Sequence, residues 1–283
     1  MNKKFLIFTD IDGTLIDLTT FDPGPVTDVL PKLQKKDIPI VLCSAKTAME
    51  QIKLREFLNI KDPFIVENGG GIYIPKGYFE DKIIKEISPQ IEYEDHYIKI
   101  CVGTSYKYIR KILEIIKKEE KIYFIGFGDL DVNEISRLTG LDKKDSELAK
   151  KREFDETIVE IDKISVDILK TRLKEFGLKL IHGGRFYHVI SKDASKGKSV
   201  IILKNLFKNK YKTELVTIGI GDSENDYDML KHVDYPYVVE KKSGGWINFD
   251  IFDLKKIKGI GPHGWVNVIK DVGILEGQAP NFL

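Results

Sequence analysis

Cysteine is scarce in this 283-residue chain: it has two, Cys43 and Cys101, each set in an apolar run. That excludes a disulfide scaffold and predicts buried thiols instead. Net charge is nearly absent too, with Lys+Arg 45 against Asp+Glu 44. No global field draws the chain towards nucleic acid or anionic lipid. No apolar run approaches the roughly 18 residues of a membrane-spanning helix. The opening MNKKFLIFTDID holds too short an apolar stretch for a signal peptide. These absences predict a soluble cytoplasmic protein with neither a nucleic-acid nor a membrane partner; the oligomeric state is not readable here. Hydrophobic residues at 42% and charged residues at 31% are ordinary for a folded protein, and the length allows two domains. The tail Glu276–Leu283 is expected to be loosely held.

Three apolar runs end in chemically capable residues. Phe5–Phe8 leads to Thr9-Asp10-Ile11-Asp12-Gly13-Thr14, Ile38–Cys43 leads to Ser44-Ala45-Lys46-Thr47, and Leu215–Gly221 leads to Asp222-Ser223-Glu224-Asn225-Asp226. Near-continuous apolar runs predict strands buried on both faces, as in a parallel sheet covered by helices. Between them lie helical patterns. Val26, Val29, Leu30 and Leu33 form one stripe, with Pro31 implying a late start or a kink. Ser195 is placed to cap a helix carrying Val200 and Leu203. In open α/β sheets ligands gather at the carboxyl ends of strands, so the three clusters converge on one rim.

The middle of the chain is organised differently. Tyr97–Gly103 alternates like a half-exposed antiparallel strand, and Thr104 is placed to cap the helix after it. Thr157–Ile161 reads as a strand, followed by a helix that Gly177 closes, then by the hairpin-like LKLIHGGRFYHVI. This predicts a small α+β domain, residues 85–190, inserted into an α/β core made of residues 1–84 and 191–283. If Gly183-Gly184 is a two-residue turn, His182 and Arg185 are directly opposed, while His188 lies on the other face as a packed, structural histidine.

Four acids on one rim, Asp10, Asp12, Asp222 and Asp226, are costly unless a cation neutralises them. All-oxygen ligands suit Mg²⁺, which keeps several waters and accepts phosphate oxygens. Ser44 and Lys196 supply a hydroxyl and an ammonium, natural partners for phosphate. Each piece alone is commonplace, since an Asp-x-Asp is often just a turn and a serine after a strand is often just a cap. Their combination in chain order is not.

Asp10–Thr14, Ser44, Lys196 and GDSENDYDML (Gly221–Leu230) together resemble the haloacid-dehalogenase superfamily of phosphohydrolases. The resemblance implies a Rossmann-like core with a parallel sheet and a C2-type cap inserted between the Ser44 and Lys196 motifs. It implies that Asp10 is the nucleophile forming an aspartyl-phosphate, and that Asp12 protonates the leaving alkoxide and then activates water. It also implies that Asp10, the Asp12 carbonyl, Asp222 and Asp226 hold Mg²⁺, while Ser44 and Lys196 hold the transferring phosphoryl group.

Four further stretches, Phe64–Pro75, Lys151–Val159, His182–His188 and Gly261–Trp265, are similar to mannosyl-3-phosphoglycerate phosphatases. That implies release of phosphate from a phosphorylated sugar-glycerate to give a compatible solute. Such a substrate asks for cations and hydrogen-bonding groups, for which the candidates are Lys46, Thr47, Asn68, Arg152, Glu156, His182, Arg185 and Asn225. Arg185 is expected to meet the substrate carboxylate, with His182 beside it. Some candidates have plainer readings: Thr47 as a helix start, Arg152 and Glu156 as an i,i+4 ion pair, the glycines after Asn68 as a strand-connecting turn, and GPHGW as a Pro-initiated helix. The alternatives are a glucosyl-3-phosphoglycerate phosphatase, a hexose- or sucrose-phosphate phosphatase of the same superfamily, and a non-catalytic phosphosugar-binding protein.

Overall fold

The computed structural model describes residues 3–88 and 90–276, so all but the first residue of the expected loose tail lies outside the described residues. The chain opens with β1 (Lys4–Thr9), α1 (Val26–Lys35), β2 (Ile40–Leu42) and α2 (Ala48–Phe57). β3 (Phe64–Val66), β4 (Gly71–Pro75), α3 (Asp81–Ile87), β5 (Ile91–Tyr93) and β6 (Tyr97–Cys101) follow. Next come α4 (Tyr106–Glu120), β7 (Phe124–Gly126), α5 (Val132–Thr139), α6 (Lys143–Ala149) and β8 (Asp155–Ile161). α7 (Lys163–Glu175), β9 (Leu178–His182) and β10 (Tyr187–Ser191) complete that stretch. The return is α8 (Lys196–Tyr211), β11 (Leu215–Gly221), the single turn α9 (Tyr227–Leu230), β12 (Tyr235–Glu240), β13 (Lys255–Ile260) and α10 (Pro262–Val272).

The five strands β13-β12-β11-β1-β2 form a parallel sheet in that order. Alternation along β1 explains why its apolar run is unbroken. Leu6 and Phe8 pack with Val200, Leu203 and Phe207 of α8. Ile7, on the other face, packs with Leu30 and Leu33 of α1 and with Trp265 and Ile269 of α10. Both faces are covered, so neither can be polar. Pro31 lies inside α1, which begins directly at Val26. GPHGW is a helix start: Pro262 opens α10, and the buried Trp265 donates from Nε1 to Thr9 Oγ1 at 3.1 Å. No helix among the described residues is long and apolar enough to cross a membrane, and both cysteines are free.

The second sheet, β7-β8-β10-β9, is antiparallel. Its apolar face packs Ile158 and Val189 against Ile109, Leu113 and Ile116 of α4 and Leu169 and Leu173 of α7. Ser105, not Thr104, caps α4 and accepts from the Tyr108 N–H at 3.3 Å. Gly177, at φ 69°, ends α7 as expected.

One strand departs from expectation. Tyr97–Cys101, expected to open the inserted domain, pairs with β4 and β5 in a third sheet, β3-β4-β6-β5. Its Ile98 and Ile100 pack with Leu6 and Phe8 of the core. The partner strand lies more than twenty residues upstream, a long-range pairing that alternation alone does not reveal.

The glycines after Asn68 serve backbone packing. Gly69 has φ 89°, and a Cβ built there would lie 2.1 Å from Ser195 O, against the start of α8. The Ser199 hydroxyl donates to Gly69 O at 3.0 Å, fastening the turn to that helix. Gly69→Ala is therefore expected to lose about 2 kcal/mol or more, combining the positive-φ penalty with a backbone clash. Urea denaturation checks this, and a midpoint equal to that of the parent chain would refute it.

Candidate active site

The site is founded on strand register. Thr9 lies opposite Ile220 on adjacent parallel strands, and the Asp10 N–H donates to Ile220 O at 2.9 Å. Asp10 and Asp222 thus leave neighbouring strand ends side by side. Gly13, at φ 80°, turns the chain away from β1 where a Cβ would lie 2.8 Å from Asp222 Oδ2. Asp226 folds back over its own loop, and its Oδ2 accepts from the Asp222 and Ser223 N–H groups, both at 3.0 Å.

Lys196, the first residue of α8, is capped in by Ser195, whose hydroxyl accepts from the Lys198 N–H at 3.1 Å. Its Nζ lies 2.7 Å from both Asp10 Oδ1 and Asp226 Oδ1. Burial works against the buried ammonium, but Asp10 and Asp226 more than offset it and raise its pKa. The acids remain undercompensated. Burial, reinforced by Asp226 and Asp222 and opposed by Lys196, drives the Asp10 carboxyl well above the usual carboxylate range. Burial and then the Asp226 charge push Asp222 up to about 7. Carboxylate oxygens of Asp10, Asp222 and Asp226 lie within 4.8 Å of one another. Asp12 Oδ1 is buried without a hydrogen-bond partner among the described residues. Three crowded oxygen donors and one ammonium fit a hard divalent cation, which would relieve the repulsion.

Above this floor lies a cavity of about 650 Å³ bounded by the core rim and the second sheet. Ser44 and Lys46 line it, as expected. Lys46 Nζ lies 3.2 Å from Asp12 Oδ2 and 3.5 Å from Glu50 Oε1. Arg152, Asn225 and Arg185 also line it. The Arg152 guanidinium donates to Ala45 O at 3.3 and 3.4 Å and lies 3.4 Å from Asp155. Arg185 donates to Leu138 O and Thr139 O at the end of α5.

Four expected binding residues do not line this cavity. Thr47 is spent as the N-cap of α2, in a capping box with Glu50 and with its hydroxyl donating to Leu148 O at 3.0 Å. Glu156 lies one residue off the cavity side of β8: Thr157, opposite His188, faces the cavity, while Glu156 pairs with Arg110 at 2.9 Å. The expected Arg152–Glu156 pair is thus replaced by Arg152–Asp155. Asn68 is buried behind the floor, donating to Asp155 Oδ2 at 2.7 Å and accepting from Asn225 Nδ2 at 3.0 Å. His182 opposes Tyr187, not Arg185, because residues 183–186 form a four-residue turn in which the Gly183 N–H donates to Phe186 O at 2.8 Å. Its Nδ1 lies 3.5 Å from Glu224 Oε2 of the acid loop.

Several lining residues were not anticipated. His188 is one, although Ile190, the next residue on its face of β10, is core. Lys241 and Lys242 are others, and Lys242 Nζ reaches Thr19 Oγ1 at 2.7 Å across the mouth. They follow the apolar run of β12 as Ser44 follows that of β2, so the strand-end rule that found one could have found the other.

The haloacid dehalogenase-like hydrolase family model matches residues 7–245. A glucosyl-3-phosphoglycerate/mannosyl-3-phosphoglycerate phosphatase of Methanococcoides burtonii is 41% identical over 273 residues, 95% of this chain and 97% of the relative. A protein of the same description from Persephonella marina is 36% identical over 260 residues, 92% and 94% of the two chains. Among solved structures, a Thermoplasma acidophilum protein aligns with TM-score 0.65 at 20% identity, covering 97% of this chain and 99% of that one. A haloacid dehalogenase-like hydrolase from B. subtilis aligns with TM-score 0.63 at 15% identity, covering 96% and 99%. The fold of these neighbours is the one built here from strand register and burial. This chain belongs to the haloacid dehalogenase-like hydrolase family.

Proposed function

We propose that the chain is a Mg²⁺-dependent phosphatase that releases phosphate from mannosyl-3-phosphoglycerate and glucosyl-3-phosphoglycerate, leaving the glycosylglycerate. The observation that carries this reading is the juxtaposition of the Asp10–Asp222–Asp226–Lys196 floor with a cavity walled by Lys46, Arg152 and Arg185. An anionic substrate with a bulky polar leaving group suits that enclosure. The names of the two curated relatives support the glycosyl-phosphoglycerate class.

In this reading the inserted unit, from about residue 104 to 190, selects the substrate, and the remainder performs the chemistry. Mg²⁺, held by Asp10, the Asp12 carbonyl, Asp222 and Asp226, would supply positive charge to the phosphoryl oxygens when bound. Lys196 holds one Asp10 oxygen, and the other attacks phosphorus; the Asp10–phosphorus bond forms as the ester oxygen leaves. Asp12 gives that oxygen its proton, then takes one from the water that cleaves the aspartyl-phosphate. Ser44 and Lys196 hold the transferring group in line. The substrate carboxylate meets Arg185, whose other donors are anchored on α5.

The test is phosphate release, with Mg²⁺, from mannosyl- and glucosyl-3-phosphoglycerate, mannose 6-phosphate and sucrose 6-phosphate. The two glycosyl-phosphoglycerates are expected to be hydrolysed with at least about tenfold higher kcat/KM, the scale set by one added ionic contact. Simple hexose phosphates turned over as well or better would overturn the assignment.

A further inference from the structure

His188 is buried to all but 6% of its surface and yet lines the cavity. Its Nδ1 lies 3.0 Å from Asp155 Oδ1, with Thr157 Oγ1 at 3.4 Å. Asp155 is fully buried; Asn68 donates to its other oxygen, Oδ2, and the Arg152 guanidinium lies 3.4 Å from Oδ1. A carboxylate so fixed takes the Nδ1–H, so the singly protonated ring presents Nε2 as an acceptor. Nε2 makes no hydrogen bond to any described residue, and it looks out beside Gly183. A Cβ on Gly183 would lie 2.9 Å from Nε2 and cover it. The ring is thus oriented by a buried acid, and its unpartnered Nε2 lies beside Gly183 of the cavity wall.

Substrate chemistry says what such an acceptor can read. In a glycosyl-3-phosphoglycerate the glycerate C2 oxygen is in the glycosidic bond, C3 carries the phosphate and C1 is the carboxylate. Every free hydroxyl therefore belongs to the hexose. The cationic side chains of the cavity suit the two anionic groups, whereas a neutral acceptor is useless to either. We propose that His188 is a specificity-determining residue that accepts a hydrogen bond from a hexose hydroxyl of the substrate, with Asp155 as the positioning residue that aims it. This assignment rests on the glycosyl-phosphoglycerate reading above.

His188→Asn separates recognition from structure, because the shorter amide can still donate to Asp155 in place of Nδ1 but presents nothing where Nε2 was. With the Mg²⁺-loaded full-length protein, KM for mannosyl-3-phosphoglycerate should rise about tenfold or more, the effect of leaving a polar group unpaired in an enclosed site. Hydrolysis of p-nitrophenyl phosphate, which has no hydroxyl to offer, should stay within about twofold of the parent. Gly183→Ala, whose Cβ would lie 2.9 Å from Nε2 while removing no donor to Asp155, should reproduce the KM effect. In a set of substrates each lacking one hexose hydroxyl, one should be bound less well by the parent protein but no less well than the intact sugar by His188→Asn. An unchanged KM in both variants, or an equal loss on p-nitrophenyl phosphate, would overturn the role of His188. A parent protein that does not prefer glycosyl-phosphoglycerates over simple hexose phosphates would instead overturn the functional reading beneath it.

Discussion

Asp10→Asn is expected to lower phosphate release from every substrate by roughly 10⁴-fold or more, the scale of removing a covalent nucleophile. The amide cannot form the acyl-phosphate bond, yet it keeps an oxygen for Lys196 and relieves the crowding of buried acids at the floor. Folding should therefore survive, with a melting temperature close to that of the parent. Asp12→Asn should behave differently towards a good leaving group. p-Nitrophenolate needs no proton to depart, so the phosphoryl-enzyme still forms, but its hydrolysis lacks a base. Rapid mixing should then show a burst of p-nitrophenol approaching one equivalent, followed by a slow phase. Phosphate release that persists in Asp10→Asn would remove the nucleophile assignment, and a burst that appears there as well would place the covalent step elsewhere.

The second large effect is expected from Lys196→Met. Nζ is held between Asp10 and Asp226, and the side chain is 1% exposed. Removing one partner of a buried ionic cluster leaves the others uncompensated, at a cost of about 3–5 kcal/mol. Turnover should fall by roughly 10²–10³-fold, since in the proposed mechanism the ammonium stabilises charge on the transferring group. The two losses should respond differently to Mg²⁺: the melting temperature should recover in part, because a cation relieves the same repulsion, and turnover should not. Thermal melts with and without Mg²⁺ decide the matter. A variant as stable as the parent without the cation would show that Lys196 is not what offsets the acids.

How far the sequence carried can be judged from particular residues. Leu215–Gly221 is β11 to the residue, and Phe5–Phe8 and Ile38–Cys43 mark β1 and β2. These strands were legible because burial on both faces leaves little room for polar residues before the rim; Thr217, hydrogen-bonded to Asp234, is the exception in β11. The floor was legible for the same reason, since Ser44 and Asp222 directly follow their apolar runs and Asp10 follows its run after Thr9. Thr157 and His188 in the cavity wall were less legible. Which residue of β8 faces the cavity depends on its parity, and Glu156 is one position out of phase with Thr157. The length of the turn at residues 183–186 decides whether His182 meets Arg185 or Tyr187. Both depend on register, which a one-residue slip reverses. The pairing of β6 with β4, and the Asn225–Asn68–Asp155 chain, join residues remote in sequence and leave no local pattern.

The ladder between β1 and β11 has a further consequence. Asp10 and Asp222 are neighbours because two backbones are bonded in register, so no side chain outside the sheet is needed to bring them together. In the proposed function, reaction and recognition thus rest on separate parts of the fold. A lineage could rewrite the cavity wall around Thr157, Arg185 and His188 and acquire a new substrate while the acids stayed where the sheet puts them. The same arrangement gives engineering a direction: the hairpin turn at residues 183–186 is where a new preference would be introduced, and the ends of β1 and β11 are what should be left alone.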